Sequence, residues 1–234
     1  MSSTPDTYQS WCHHAETLGT YARSGQAPLA FLVGAGCSLS SGCPSLTGAE
    51  EVLANMPAQQ RGDLSAEYRL SPEETRRQLT RLFHDASPNL GYYCLASLGQ
   101  RCKTLVLNLN WDDMVERAAG ALRIPCLSYD IADDPTEIAS AWGELDAGLL
   151  ILHIHGKLNG SVRYTRNQTL HITPEQQSLI DSVLVADRLI SLGASLRNDH
   201  DVNAMLRNTD TPDPGYYFNR ADDEADAADH STRT

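Results

Sequence analysis

The sequence predicts an α/β fold: a Rossmann-like, mostly parallel sheet with helices on both faces, a small helical insertion and no zinc module. Three observations lead there. Short, largely apolar runs of strand length recur at residues 28–33, 105–109 (interrupted by Asn108), 149–154 and 189–192. Stretches with helical patterning separate them, and each run leads directly into glycine or polar residues. Strands that alternate with helices imply a parallel sheet covered on both faces. In such sheets the loops at strand ends meet helix starts in one crevice, so the polar clusters after the runs are where chemistry is expected.

Taken in order, residues 8–24 set Tyr8, Trp11, Leu18 and Tyr21 among polar neighbours, a helical pattern that leads into the first strand. Further helices are expected at 46–56, 72–86, 90–98, 112–122, 135–144 and 174–185. Residues 55–71 are polar without a clear period, which suits a mobile loop or part of a small helical insertion over the crevice. From Ala221 the chain has no aromatic or branched aliphatic residue, so one domain is expected over 1–220 and a disordered acidic tail over 221–234. A length of 234 residues with 41% hydrophobic content supports one sizeable core.

Charge narrows the function classes. Eighteen basic against 30 acidic residues give a formal charge of −12, which repels phosphate backbones and anionic lipid. Neither direct nucleic-acid binding nor a membrane surface is expected. No stretch approaches the roughly 20 apolar residues of a membrane span, and residues 1–10 are polar where a signal peptide is apolar, so a cytoplasmic location is expected. The six cysteines form no C-x-x-C pair and sit in or beside apolar segments, the pattern of reduced thiols rather than disulfides or zinc ligands.

Four clusters follow the apolar runs. Gly34-Ala35-Gly36-Cys37-Ser38, followed by Ser41-Gly42-Cys43-Pro44-Ser45, would let backbone N–H groups approach a pyrophosphate, or would form an ordinary glycine turn. Asn108-Leu109-Asn110-Trp111-Asp112-Asp113 offers an Asn for ribose hydroxyls or a water, and Asp112 or Asp113 as a helix cap. His153-Ile154-His155-Gly156 places two histidines on one face by strand alternation, either of which suits general-base work or a structural hydrogen bond. Gly193 and Ser195 put a small turn and a hydroxyl at the end of the last run.

In that order the clusters resemble the sirtuin-like superfamily: Gly-Ala-Gly-x-Ser, Gly-x-Pro, Asn-x-Asp, His-Gly and Gly-x-Ser, spanning about residues 31–206. The resemblance implies that NAD is the substrate, with Gly34, Ala35, Gly36, Ser38 and Pro44 on the dinucleotide and Gly193 and Ser195 flanking its adenosine side. It implies that Asn110 orders the nicotinamide ribose or the attacking water, Asp112 faces the carboxamide, and His155 is the base toward a ribose hydroxyl. The deacylases of that superfamily carry paired C-x-x-C zinc ligands between His-Gly and Gly-x-Ser, whereas residues 155–193 here hold no cysteine. They also follow Gly-x-Pro with an acidic residue, Phe and Arg, where this chain has Ser45-Leu46-Thr47. Instead, Asn110-Trp111-Asp112-Asp113-Met114-Val115-Glu116 and the short His155-Gly156-Lys157 stretch resemble the zinc-less branch found in bacterial antiphage systems, whose members hydrolyse NAD when triggered. That likeness implies an NAD glycohydrolase without a metal, working beside a separate sensor subunit or as a homo-oligomer. Protein deacylation, ADP-ribosyl transfer and a catalytically silent nucleotide-binding module are the alternatives.

Overall fold

Five α-helices, two short 3-10 helices (Ala35–Cys37 and Leu39–Ser41) and six strands are the elements of the described part of the chain. The computed structural model describes residues 28–44, 72–160, 172–184, 189–194 and 216–218, with helical positions at 16, 19–20, 23–24, 202 and 205–206. The expected helix at 46–56, the insertion, Ser195 and the acidic tail lie outside the described residues. The strands are β1 (Leu29–Val33), β2 (Lys103–Asn108), β3 (Cys126–Asp130), β4 (Gly148–His153), β5 (Leu189–Leu192) and β6 (Tyr216–Phe218). They pair in the order β3-β4-β2-β1-β5-β6, every pairing parallel. The fold is α/β and Rossmann-like, as the alternation of runs implies.

Local chemistry sets the helix starts. Ahead of α1 (Pro72–Leu82) no cap is described, but α2 (Leu90–Leu98) begins at Asn89, whose side chain accepts the Tyr92 N–H. Met114–Leu122 forms α3, and the Met114 N–H is taken by Asp112 Oδ1 at 3.1 Å. Asp134 caps α4 (Pro135–Glu144), and Thr173 with Gln176 forms a capping box at α5 (Pro174–Val183). Both of these helices start with proline, whose missing N–H costs nothing in a first turn.

Two apolar layers clamp the sheet. On one face Leu105, Leu107, Leu150 and Leu152 pack with Ile138 and Trp142 of α4 and with Leu179, Ile180 and Val183 of α5. On the other, Phe31, Val33, Val106 and Ile151 pack with Tyr92 and Leu95 of α2 and Met114, Val115 and Ala118 of α3. The alternation that assigns each strand residue to a face follows from the pleat. No helix of the described residues is long and apolar enough to cross a membrane.

Two strands escape the sequence reading. Every residue of Cys126–Tyr129 in β3 is only partly buried, as suits an edge strand, so no continuous apolar run marks it. The other outer strand, β6, is three residues long. A further difference is at β4, which ends at His153 rather than 154. Strand alternation therefore reaches His153 but not His155.

The chain crosses from β1 to β2 on one side and later places β5 on the other, which opens a crevice at the carboxyl edge beside β1. Backbone contact holds the loops there together. The Gly34 N–H donates to Leu192 O and the Gly36 N–H to Gly193 O, each at 2.9 Å. A Cβ on Gly34 would stand 2.4 Å from Ala194 Cα, and one on Gly193, already at φ 60°, would stand 2.6 Å from Cys37 N. Glycine is thus required by the approach of one loop to the other. Gly34→Ala is expected to lower stability by about 1–3 kcal/mol through this clash. The matched control is Gly120→Ala in α3, where a new Cβ meets nothing within 4 Å and a gain of about 0.5–1 kcal/mol is expected. Denaturant unfolding of both variants checks the pair; equal effects would show that the loop contact carries no stability.

Candidate functional site

The segments after β1, β2 and β4 deliver side chains to the carboxyl edge, and the Ser38 hydroxyl lies at the centre of one hydrogen-bonded group there. Ser38 is 3% exposed, in the loop after β1. Its Oγ donates to Asp112 Oδ2 at 2.7 Å, lies 2.6 Å from Tyr92 Oη, and accepts from Asn110 Nδ2 at 3.0 Å. Asn110 Nδ2 also reaches Gly34 O at 3.1 Å, tying the loop after β2 to the one after β1. The Asn110 N–H donates to Asn108 Oδ1 at 3.0 Å, a local turn that stops β2 and aims the Asn110 side chain. Asn89 braces the same loop from α2, donating through Nδ2 to Cys37 O and Ser40 Oγ, each at 2.8 Å.

The two histidines have different surroundings. His153 is fully buried in a lateral row with Asn108 and Asp130, its register partners on β2 and β3. Its Nδ1 lies 3.3 Å from Asn110 O and its Nε2 2.7 Å from Glu116 Oε1. A carbonyl only accepts, so Nδ1 carries a hydrogen, and Nε2 shares a proton with the carboxylate. Both ring nitrogens are committed inside the protein. His155 lies beyond the strand and is half-buried, with Nδ1 3.2 Å from Leu109 O. The same rule puts a hydrogen on Nδ1.

Burial shapes the electrostatics. It pushes the Asp112 carboxyl above its ordinary value, a rise opposed by the Ser38 hydroxyl and the Met114 N–H and reinforced by Glu116 and Asp113. For Glu116 burial also pushes upward, but the hydrogen bond and charge of His153 and the hydroxyl of Ser128 outweigh it and hold the group below its ordinary value. Ser128 Oγ donates to Glu116 Oε1 at 2.7 Å, while Oε2 is buried without a partner among the described residues. Cys37 and Cys43 are raised by burial to about 11 and about 12, so both are thiols rather than nucleophilic thiolates at neutral pH. Beside the crevice opens a cavity of about 610 Å³ lined by Phe83, Trp111, Asp112, Glu116, Ser128 and Lys157 among others. No group of three or more His, Cys, Asp or Glu among the described residues is placed to hold a metal ion.

Of the residues singled out in the sequence, Gly34, Ser38, Asn110 and Asp112 are brought into one hydrogen-bonded group. Gly36 and Gly193 meet through their backbones, and Ala35 is exposed in the same loop. The N–H groups of Gly34, Gly36, Cys37 and Ser38 all donate to backbone oxygens; that of Ala35 enters none of these bonds. Pro44 is partly buried just past the loop and makes no contact with that group among the described bonds. His155 is hydrogen-bonded to the residue before Asn110, so it stands at the same edge.

Tyr92, Asn89 and Glu116 are the residues the sequence reading missed. Tyr92 falls in an apolar helix and reads as core; only its hydroxyl signals otherwise. Asn89 directly before an apolar helical run is a recognisable cap, and its second role on the glycine loop is tertiary. No family model matches the chain, and no curated protein matches it.

Because Glu116 titrates lower in the folded protein than in the unfolded chain, it stabilises the fold above pH about 4.5, and that contribution disappears as pH falls through its folded value. Glu116→Gln should therefore be less stable than wild type at pH 7, with the gap closing in acid. Melting curves from pH 7 to pH 3 read this directly; a gap that is constant with pH would contradict it.

Proposed function

We propose that this chain is a sirtuin-like NAD hydrolase that breaks the nicotinamide–ribose bond and releases nicotinamide and ADP-ribose. The observation that supports it best is the grouping of Asn110 and Asp112 on the Ser38 hydroxyl, with His155 hydrogen-bonded one residue before Asn110. That is the order and company in which the resembled family uses such residues.

The chemistry suits those groups. When the glycosidic bond breaks, the pyridinium nitrogen takes the bonding pair and leaves as neutral nicotinamide, so the leaving group needs no acid. Positive charge develops on the ribose, and preorganised oxygen acceptors stabilise it. Asp112 faces the carboxamide side, and the His155 imidazole takes a proton from a ribose hydroxyl or from the water that Asn110 orders. That water forms the new C–O bond at the ribose. The phosphates lie along residues 34–38, where exposed Ala35 and Gly36 leave room for a close approach and the Ala35 N–H enters no backbone bond among the described residues. Ser38, with its hydroxyl turned inward, serves by holding Asp112 and Asn110. Gly193 and Ser195 flank the adenosine end, and no metal takes part. In this reading the domain is a cytoplasmic effector of bacterial antiphage defence, released by a sensor subunit or by self-assembly.

The test is incubation of the protein with NAD, alone and with an acylated peptide, following nicotinamide and ADP-ribose by chromatography. Equimolar release without peptide is expected. Release only with peptide would make the chain a deacylase, and binding without turnover in the assembled complex would make it a sensor module. His155→Gln and Asn110→Ala should each lower cleavage, the former by ~100- to 10,000-fold, the range of a lost general base. His153 is a poor control, because removing it leaves Glu116 and Asn110 O without their buried partner and endangers the fold.

A further inference from the structure

Counting hydrogens around Ser38 fixes the direction of every bond it makes. A serine hydroxyl has one hydrogen and two lone pairs. With Asp112 ionised, the hydrogen goes to Asp112 Oδ2 at 2.7 Å. An amide nitrogen can only donate, so Asn110 Nδ2 at 3.0 Å fills one lone pair. The remaining contact, Tyr92 Oη at 2.6 Å, must then be a donation from tyrosine to serine. The chain of hydrogens runs one way, from Tyr92 through Ser38 to Asp112.

Asp112 protonated on Oδ2 has no such fit. A hydrogen on Oδ2 would need a lone pair on Ser38, and both are filled. The hydrogens of Asp112, Ser38 and Tyr92 would then share only two contacts, Asp112–Ser38 and Ser38–Tyr92, so that whichever acceptor Asn110 Nδ2 takes, one of the three is left without an acceptor among the described hydrogen bonds. Leaving a buried donor unmade is more costly than a typical hydrogen bond is favourable. Tyr92 is 2% exposed, so water does not readily substitute.

We propose that Tyr92 is a positioning residue: by donating to Ser38 it holds Asp112 as a hydrogen-bond acceptor at the crevice, while its oxygen also accepts from Asn110 Nδ2 at 3.4 Å. Its meaning for catalysis rests on the functional reading above, whereas the direction of the relay does not. Burial acts against the ionised form of Asp112, and the Ser38 hydroxyl at the end of the relay opposes it together with the Met114 N–H.

Carbon-13 NMR titration of the Asp112 carboxyl in the full chain tests this, using wild type, Tyr92→Phe, Ser38→Ala and the double variant. Phenylalanine keeps the ring in the core and removes the hydroxyl, the donor to Ser38 and the longer of Asn110 Nδ2's contacts at 3.4 Å. The Asp112 midpoint is expected to move upward in Tyr92→Phe by roughly half to one pH unit, the size of one hydrogen bond's net contribution. In the Ser38→Ala background, Tyr92→Phe is expected to add nothing, since the intermediary is gone. An unmoved midpoint in Tyr92→Phe, or equal shifts in both backgrounds, would overturn the proposal. In wild type, which needs no variant to fold, the Tyr92 hydroxyl proton should be protected from exchange; a freely exchanging one would also overturn it. If the protein cleaves NAD, the acid limb of kcat/KM should move with the midpoint. If it does not, the titration still decides the relay, and only the functional reading falls.

Discussion

The approach of the β5 loop to the β1 loop governs the carboxyl edge of this fold. Gly34 and Gly193 meet at distances that exclude a side chain, and the N–H groups of Gly34 and Gly36 are spent on joining the two loops. That contact places Gly34 O where Asn110 can reach it and brings Ser38 inward, onto Asp112 and Tyr92. A side chain at either glycine would separate the loops and with them the polar group beneath. The glycines are therefore demanded first by the protein itself, before any ligand.

The resulting site has two polar centres joined through one peptide unit. One is the Ser38 group; the other is His153 with Glu116 and Ser128, which meets Asn110 at its backbone carbonyl. Buried polar groups this close must be satisfied together, because each unmade bond costs more than a made one contributes. Such mutual dependence holds Asn110 in a fixed orientation at the edge of a parallel sheet, where a substrate meets several loops at once. His155 differs in being half-buried, with its Nδ1 held at a main-chain carbonyl.

Much of this was legible in the chain. Continuous apolar runs gave β1, β2, β4 and β5, because strands covered on both faces need apolar residues throughout. The edge strand β3 carries Ser128 and Asp130 among its five residues and so lacks that signature. Asn110 and Asp112 stood out because polar residues directly after a buried strand have few structural reasons to be there. Tyr92 and Glu116 did not, since each lies within a helix whose pattern explains it: Tyr92 as core and Glu116 as an acidic residue in a first turn. Their roles depend on what faces them across more than 30 residues of chain, which no local pattern records. The distinction between His153 and His155 likewise depended on where β4 ends.

A structure of the His155→Gln protein with NAD measures the central claim most directly, since a slowed enzyme retains its substrate. The account predicts the nicotinamide ribose between Asn110 and residue 155, the carboxamide toward Asp112 and the pyrophosphate along residues 34–38. Dinucleotide bound elsewhere, or none at saturating concentration in a folded protein, would contradict it.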